Sequence, residues 1–137
     1  MRAAHPLLPY ATDALVMPAS IRETILLVED EPAVRQLFAH ALVREGYSVF
    51  EARNGQEAMR LFDQHGDSID MLLTDMRMPY MGGAELAHHL RGRRRTLKLL
   101  CISGYPGYLD ADLAADFLSK PFSRDALLKK VREVLDK

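Results

Sequence analysis

The chain has 137 residues, one domain's worth, of which 48% are hydrophobic and 27% charged. Lys and Arg number 18 against 19 Asp and Glu, for a formal net charge of -1, so no global basic excess argues for nucleic acid. The single cysteine, Cys101, excludes an internal disulfide, and no apolar run approaches a membrane span, which makes the expected location cytoplasmic.

Residues 1–22 carry Pro6, Pro9 and Pro18, which interrupt Leu7, Leu8, Leu15 and Val16. A signal peptide needs a continuous apolar stretch behind a basic start, and this is not one. The segment is expected to be a tail or linker, with the domain spanning 23–137. Its apolar set, with Tyr10, would equally let it pack on the domain. From Ile25 onward strands and helices alternate. Ile25-Leu26-Leu27-Val28 is a wholly apolar run, as a strand buried on both faces requires. Pro32 opens a helix with Val34, Leu37, Phe38, Ala41 and Leu42 on one face, and Gly46 ends it. Tyr47 to Ala52 reads as the second strand. Asn54 caps a helix carrying Ala58, Leu61 and Phe62, which Gly66 closes. Met71 to Leu73 is the third strand and Ala84 to Leu90 the third helix. Leu97 to Ile102 is the fourth strand and Phe117-Leu118 a short fifth. Ser123 caps a final helix with Leu127, Leu128, Val131, Val134 and Leu135 inward. The run Arg91, Arg93, Arg94, Arg95 falls at a helix C-terminus, where cations are favoured, and reads as a solvated face. Cys101 sits among apolar neighbours as a small hydrophobe. His5, His40, His65, His88 and His89 show no metal-ligand spacing and read as surface or half-buried residues.

Alternating strands and helices imply an α/β parallel sheet covered on both sides, with the site at the carboxyl ends of the strands. Those ends collect a particular chemistry. The first strand ends in Glu29-Asp30-Glu31, the third in Asp75, the fourth in Ser103 and the fifth in Lys120. Magnesium takes oxygen ligands, typically one or two carboxylates with water and phosphate. Asp30 and Asp75 can supply the carboxylates, and Glu29 can hold a metal-bound water. A carboxylate can also attack a phosphoryl group to give an acyl phosphate. Lys120 and Ser103 can then stabilise the transferred group by charge and hydrogen bond. Taken singly, Asp30 reads equally well as a helix cap, and Lys120 as a surface lysine. The joint arrangement is what carries the inference.

Ile25 to Glu31, Leu72-Leu73-Thr74-Asp75-Met76-Arg77-Met78-Pro79 with Met81-Gly82-Gly83, Ile102 to Tyr105, and Ser119-Lys120-Pro121-Phe122 together resemble the receiver domain of bacterial two-component response regulators. They are most similar to receivers attached to hybrid histidine kinases. The resemblance implies a flavodoxin-like, doubly wound (βα)5 sheet of strand order 2-1-3-4-5. It implies that Asp75 is the phosphoacceptor of a phosphorelay and that Glu29, Asp30, Asp75 and the backbone carbonyl of Arg77 hold Mg2+. Ser103 would be the switch hydroxyl, Phe117 the switch aromatic, and Lys120 the partner of the phosphoryl group. The Lys120–Pro121 peptide would be cis. The donor would be a phosphohistidine on a sensor histidine kinase or a histidine phosphotransfer protein.

Three departures stand out. Phe117 replaces the frequent tyrosine, and Gly104 stands where alanine is usual, which should open the mouth of the site. The stretch between Ser103 and Lys120 is shorter than the family pattern, and the deficit falls between Pro106 and Ala115. That leaves a fourth helix of at most about two turns, or an irregular segment in its place. A homodimer is possible, but contacts through that helix would be truncated. No effector segment follows Lys137, so neither direct nucleic-acid binding nor membrane contact is expected. The chain is expected to be a signalling switch, with at most slow autodephosphorylation, rather than an enzyme. A magnesium-dependent phosphohydrolase would place a second acid two residues after its nucleophile, where this chain has Arg77. A flavin-binding protein would need a phosphate cradle where Glu29-Asp30-Glu31 would repel it. An inactive docking module would not need the set Asp30, Asp75, Ser103 and Lys120.

Overall fold

Five short runs rich in apolar residues form one sheet: β1 (Thr24–Val28), β2 (Ser48–Ala52), β3 (Met71–Asp75), β4 (Lys98–Ser103) and β5 (Asp116–Ser119). The computed structural model describes residues 22–104 and 115–137. Every strand pair is parallel and the order is β2-β1-β3-β4-β5, the flavodoxin-like winding expected. Parallel neighbours need crossovers. Among the described residues α1 (Pro32–Arg44), α2 (Gly55–His65) and α3 (Gly83–Arg93) are crossovers, and α4 (Arg124–Leu135) follows β5.

Strand side chains alternate between faces, and each face has its own core. Leu26, Val28, Phe50, Leu72 and Leu99 pack under α2 and α3 through Ala58, Leu61, Phe62, Leu86 and Leu90. Ile25, Leu27, Val49, Leu73, Leu100 and Ile102 pack under α1 and α4 through Ala39, Leu42, Leu127, Val131 and Val134. Burying one such Leu or Ile is worth roughly 1.5–3 kcal/mol. The central strands are therefore anchored from both sides, and their carboxyl ends are held in register. Cys101 packs among them, and burial pushes its thiol up to about 12.

The caps form as expected. Asn54 Oδ1 accepts from the Glu57 amide at 2.8 Å, and Ser123 Oγ accepts from the Ala126 amide at 3.0 Å. Gly46, just past α1, has φ 106°, where a side chain would be strained. The Lys120–Pro121 peptide is cis, the expected isomer.

Two readings need correction. Leu37 is 65% exposed rather than inward. The buried side of α1 is centred on Leu42 and Ala39, and at about 100° per residue Leu37 lies about 140° round the helix from Leu42. The arginine run is less free than a solvated face. Arg93 pairs with Asp63 at 2.6 Å, Arg91 Nε donates to the Leu97 carbonyl at 3.1 Å, and Arg94 donates to the carbonyls of Gly66 and Ile69. These arginines tie the end of α3 to α2 and the turn beyond it. The tail reading of residues 1–22 falls outside the described residues except at Arg22. So does the short fourth helix, except at Ala115.

Candidate functional site

The register of the sheet brings the strand ends to one rim. Val28 pairs with Thr74 and with Ala52, Asp75 with Ile102, and Ser103 with Ser119. The residues just beyond are therefore neighbours in space although far apart in sequence. Backbone bonds continue the alignment past the strands. The Glu29 amide donates to the Ala52 carbonyl at 3.1 Å, Met76 to Ile102 at 3.0 Å and Lys120 to Ser103 at 2.9 Å.

Glu29, Asp30 and Asp75 converge, with one carboxylate oxygen from each lying within 4.8 Å of the others. Asp75 is 7% exposed. Its Oδ1 accepts from the Arg77 amide at 3.2 Å, and its Oδ2 pairs with Lys120 Nζ at 3.1 Å. Asp30 is exposed and Glu29 buried. Glu29 Oε2 accepts from the Glu31 amide at 3.1 Å, while Oε1 is buried with no hydrogen-bond partner among the described residues. Burial pushes the Glu29 carboxyl up to about 7, the Glu31 amide opposes this, and the charge of Asp75 adds to it. A buried, unpartnered carboxylate oxygen beside two further carboxylates suits a hard divalent cation such as Mg2+.

Ser103 is buried at the end of β4, beside Asp75 in the sheet order. Phe117 is half-buried on β5, paired with Cys101 two residues earlier than Ser103 on β4. Among the described residues, a Cβ added at Gly104 would meet nothing within 4 Å. All the expected site residues thus lie on the rim or, for Phe117, on the strand leading to it.

Other residues that shape the rim were not singled out by sequence reasoning. Arg35, from α1, donates to the Glu29 carbonyl at 2.9 Å and pairs with Glu51 of β2 at 3.4 Å. Its side chain is only 11% exposed. It pins the turn carrying Glu29 and Asp30 against the end of β2. An arginine in the first turns of the helix behind an acidic turn was the available signal. Thr74 Oγ1 donates to the Asp75 carbonyl at 2.9 Å. Gly83 lies so close to that carbonyl that a Cβ there would come within 2.3 Å of it.

Comparison with known proteins agrees with this geometry. A family model described as the response regulator receiver domain matches residues 25–132. The sensor kinase CckA of Brucella abortus is 40% identical over 119 residues, covering 83% of this chain and 13% of that kinase. The chain spans half or less of the length of this and the other leading curated relatives. The crystal structure of the receiver domain from the hybrid histidine kinase CckA superposes with a TM-score of 0.72 at 37% identity, over 82% of this chain and 98% of that one. The response regulator protein TrrA from Thermotoga maritima, solved in complex with Mg(2+)-BeF, superposes with a TM-score of 0.75 at 32% identity, over 82% and 99%. No helix among the described residues is long and apolar enough to cross a membrane.

Proposed function

The chain belongs to the response regulator receiver domain family, and we propose that its Asp75 accepts a phosphoryl group in a Mg2+-dependent step of a phosphorelay. One observation carries the reading: three carboxylates converge within 4.8 Å, and the one at the end of β3 holds Lys120 Nζ at 3.1 Å. Among structural roles, such a cluster is costly. Like charges are held together, and one oxygen is buried without a partner.

The Mg2+ would be held by Glu29, Asp30, Asp75 and the backbone carbonyl of Arg77, and when bound it offsets the charge of the phosphoryl oxygens. The rest of the step falls to the chain. An Asp75 carboxylate oxygen attacks phosphorus as the P–N bond of a phosphohistidine breaks. The bonding pair returns to the imidazole nitrogen, which takes up a proton, and Asp75 becomes an acyl phosphate. Lys120 already faces Asp75 Oδ2, so its ammonium pairs with the incoming phosphoryl oxygens with little movement. The Ser103 hydroxyl donates to one of them, and the face bearing Ser103 and Phe117 changes conformation in response. The donor is a sensor histidine kinase or a histidine phosphotransfer protein. The output is a binding surface, with at most slow autodephosphorylation of Asp75 and no direct contact with nucleic acid.

The test uses acetyl phosphate as a small donor. With Mg2+, intact mass should report one added phosphoryl group on the wild type and none on Asp75→Asn. Equal labelling of the two proteins would sink the assignment. Labelling that survives removal of Mg2+ by a chelator would remove the metal from the reading.

A further inference from the structure

The loop that follows Asp75 runs from Met76 to Gly82 and contains an unusual backbone. Tyr80 has φ 70°, in the left-handed region that glycine favours, and its side chain is 94% exposed. An exposed ring gains no packing that would hold its own backbone there. The constraint must come from the residues on either side of it.

Those residues are held at two glycines on different helices. Gly55 opens α2, and a Cβ placed on it would come within 2.6 Å of Met81 Sδ, 2.9 Å of its Cγ and 2.8 Å of its Cβ. The thioether could swing aside, but a Cβ cannot move without its own backbone. Any side chain at 55 must therefore displace the loop at Met81. Gly83 opens α3, and a Cβ there would come within 2.3 Å of the Asp75 carbonyl oxygen. Met81, half-buried, packs against the core under α2 and α3. Between the two contacts the loop is tied by hydrogen bonds, from the Met81 amide to the Pro79 carbonyl at 2.8 Å and from the Gly83 amide to the Met76 carbonyl at 3.1 Å.

We infer that Met81, lodged against Gly55 at the start of α2, is a positioning residue that fixes the loop backbone at Arg77 relative to the Asp75 carboxylate. This rests on the phosphoacceptor reading of Asp75. The part of the loop that matters is close to the chemistry. The Arg77 amide donates to Asp75 Oδ1 at 3.2 Å, and the Arg77 carbonyl belongs to the proposed metal ligands. Shifting Met81 moves the same short tether, so α2 sets the geometry of a site to which it contributes no side chain. Met81 does not touch the phosphoryl group. It acts through backbone placement.

The experiment is a double-mutant cycle on the full chain, read by initial rates of labelling with acetyl phosphate at saturating Mg2+ and by thermal midpoints. Gly55→Ala should slow labelling at least tenfold, beyond any fall in the folded fraction, with the loss in the rate at saturating donor. Met81→Gly should slow it about threefold. Met81→Gly placed in the Gly55→Ala background should restore the rate to the level of Met81→Gly alone, because only loss of the whole side chain, Cβ included, vacates the space the new methyl needs. A structural role alone predicts lower midpoints and unchanged rates per folded molecule. Gly55→Ala labelling as fast as wild type overturns the inference, and so does a double variant no faster than Gly55→Ala. If Gly55→Ala fails to fold, the double variant decides. Folded and labelling like Met81→Gly, it supports the inference; unfolded, it overturns it. Wild type that takes no label overturns the phosphoacceptor reading, and this inference falls with it.

Discussion

The two ends of the sheet are built on opposite electrostatic plans. At the amino end, charges are matched. The Arg132 guanidinium reaches both oxygens of Glu23, at 3.1 and 2.6 Å, and Asp136 at 2.9 Å, with the Tyr47 hydroxyl at 3.3 Å. Lys137 pairs with Asp116 at 2.6 Å, and Asp70 accepts from the Thr24 amide at 2.8 Å. The hydrogen bond from Arg132 holds the Glu23 carboxyl below its ordinary value. At the carboxyl end, three carboxylates crowd together and Glu29 is pushed up to about 7. One end uses its charges to hold the fold, while the other crowds like charges together at a cost to it. Stability and function are thus separated along the strands, and mutations at the two ends should fail in different ways.

The largest stability effect belongs to the amino end. Arg132→Ala strips both Glu23 and Asp136 of their shared partner. The groups are partly exposed, so solvent screening limits the cost to about 1–2 kcal/mol. Part of that loss is pH-dependent. Glu23 has a lowered value in the fold, so its contribution is present above its ordinary value of 4.5 and fades as pH falls through the lowered one. Urea unfolding at pH 7 should register the loss, and acetyl phosphate labelling per folded molecule should be unchanged. A labelling defect in this variant would break the separation of the two ends.

The next effect is smaller and has the opposite sign. Glu29 is raised from 4.5 to about 7 in the fold. Its contribution to stability is therefore complete below about 4.5 and is lost as pH rises through about 7. Metal-free protein should melt at a lower temperature at pH 8 than at pH 6. Glu29→Gln should flatten that slope and stabilise the metal-free chain at pH 8 by about 1 kcal/mol, while impairing Mg2+-dependent labelling. Added Mg2+ should raise the melting temperature of wild type at pH 8 more than that of Glu29→Gln. A wild type equally stable at both pH values without metal would refute the claim that the rim is strained by its charge.

The same contrast explains what could be read from the sequence. Ile25 to Val28 and Met71 to Leu73 were legible as strands because burial on both faces leaves unbroken apolar runs. Asp75, Ser103 and Lys120 were legible because polar groups directly after such runs must lie at the carboxyl rim. Asn54 and Ser123 were legible because capping is local chemistry. The face of α1 was misjudged at Leu37 because several apolar residues permit more than one inward direction, and packing against α4 and the sheet selects among them. Gly55, Met81 and Gly83 carry no local signal of their roles. Each depends on a close approach between elements distant in sequence, such as the start of α2 against the loop after β3.

The smallest effect concerns strain rather than charge at the carboxyl end. Tyr80 adopts φ 70° with its ring 94% exposed. The left-handed conformation costs a residue with a Cβ about 1–2 kcal/mol, and glycine escapes that cost. Glycine also gains freedom in the unfolded chain, which takes back roughly 0.5–1 kcal/mol. Two variants separate these contributions from the ring itself. Tyr80→Ala keeps the Cβ and the strain, and since the ring packs on little, its stability should stay within about 0.5 kcal/mol of wild type. Tyr80→Gly should exceed Tyr80→Ala by about 0.5 kcal/mol, the difference between the relieved strain and the added unfolded freedom. Both differences can be read from urea midpoints at a fixed slope. If Tyr80→Gly is the less stable of the two, the loop is not strained at this residue. The carboxyl end would then be set apart from the amino end by charge alone.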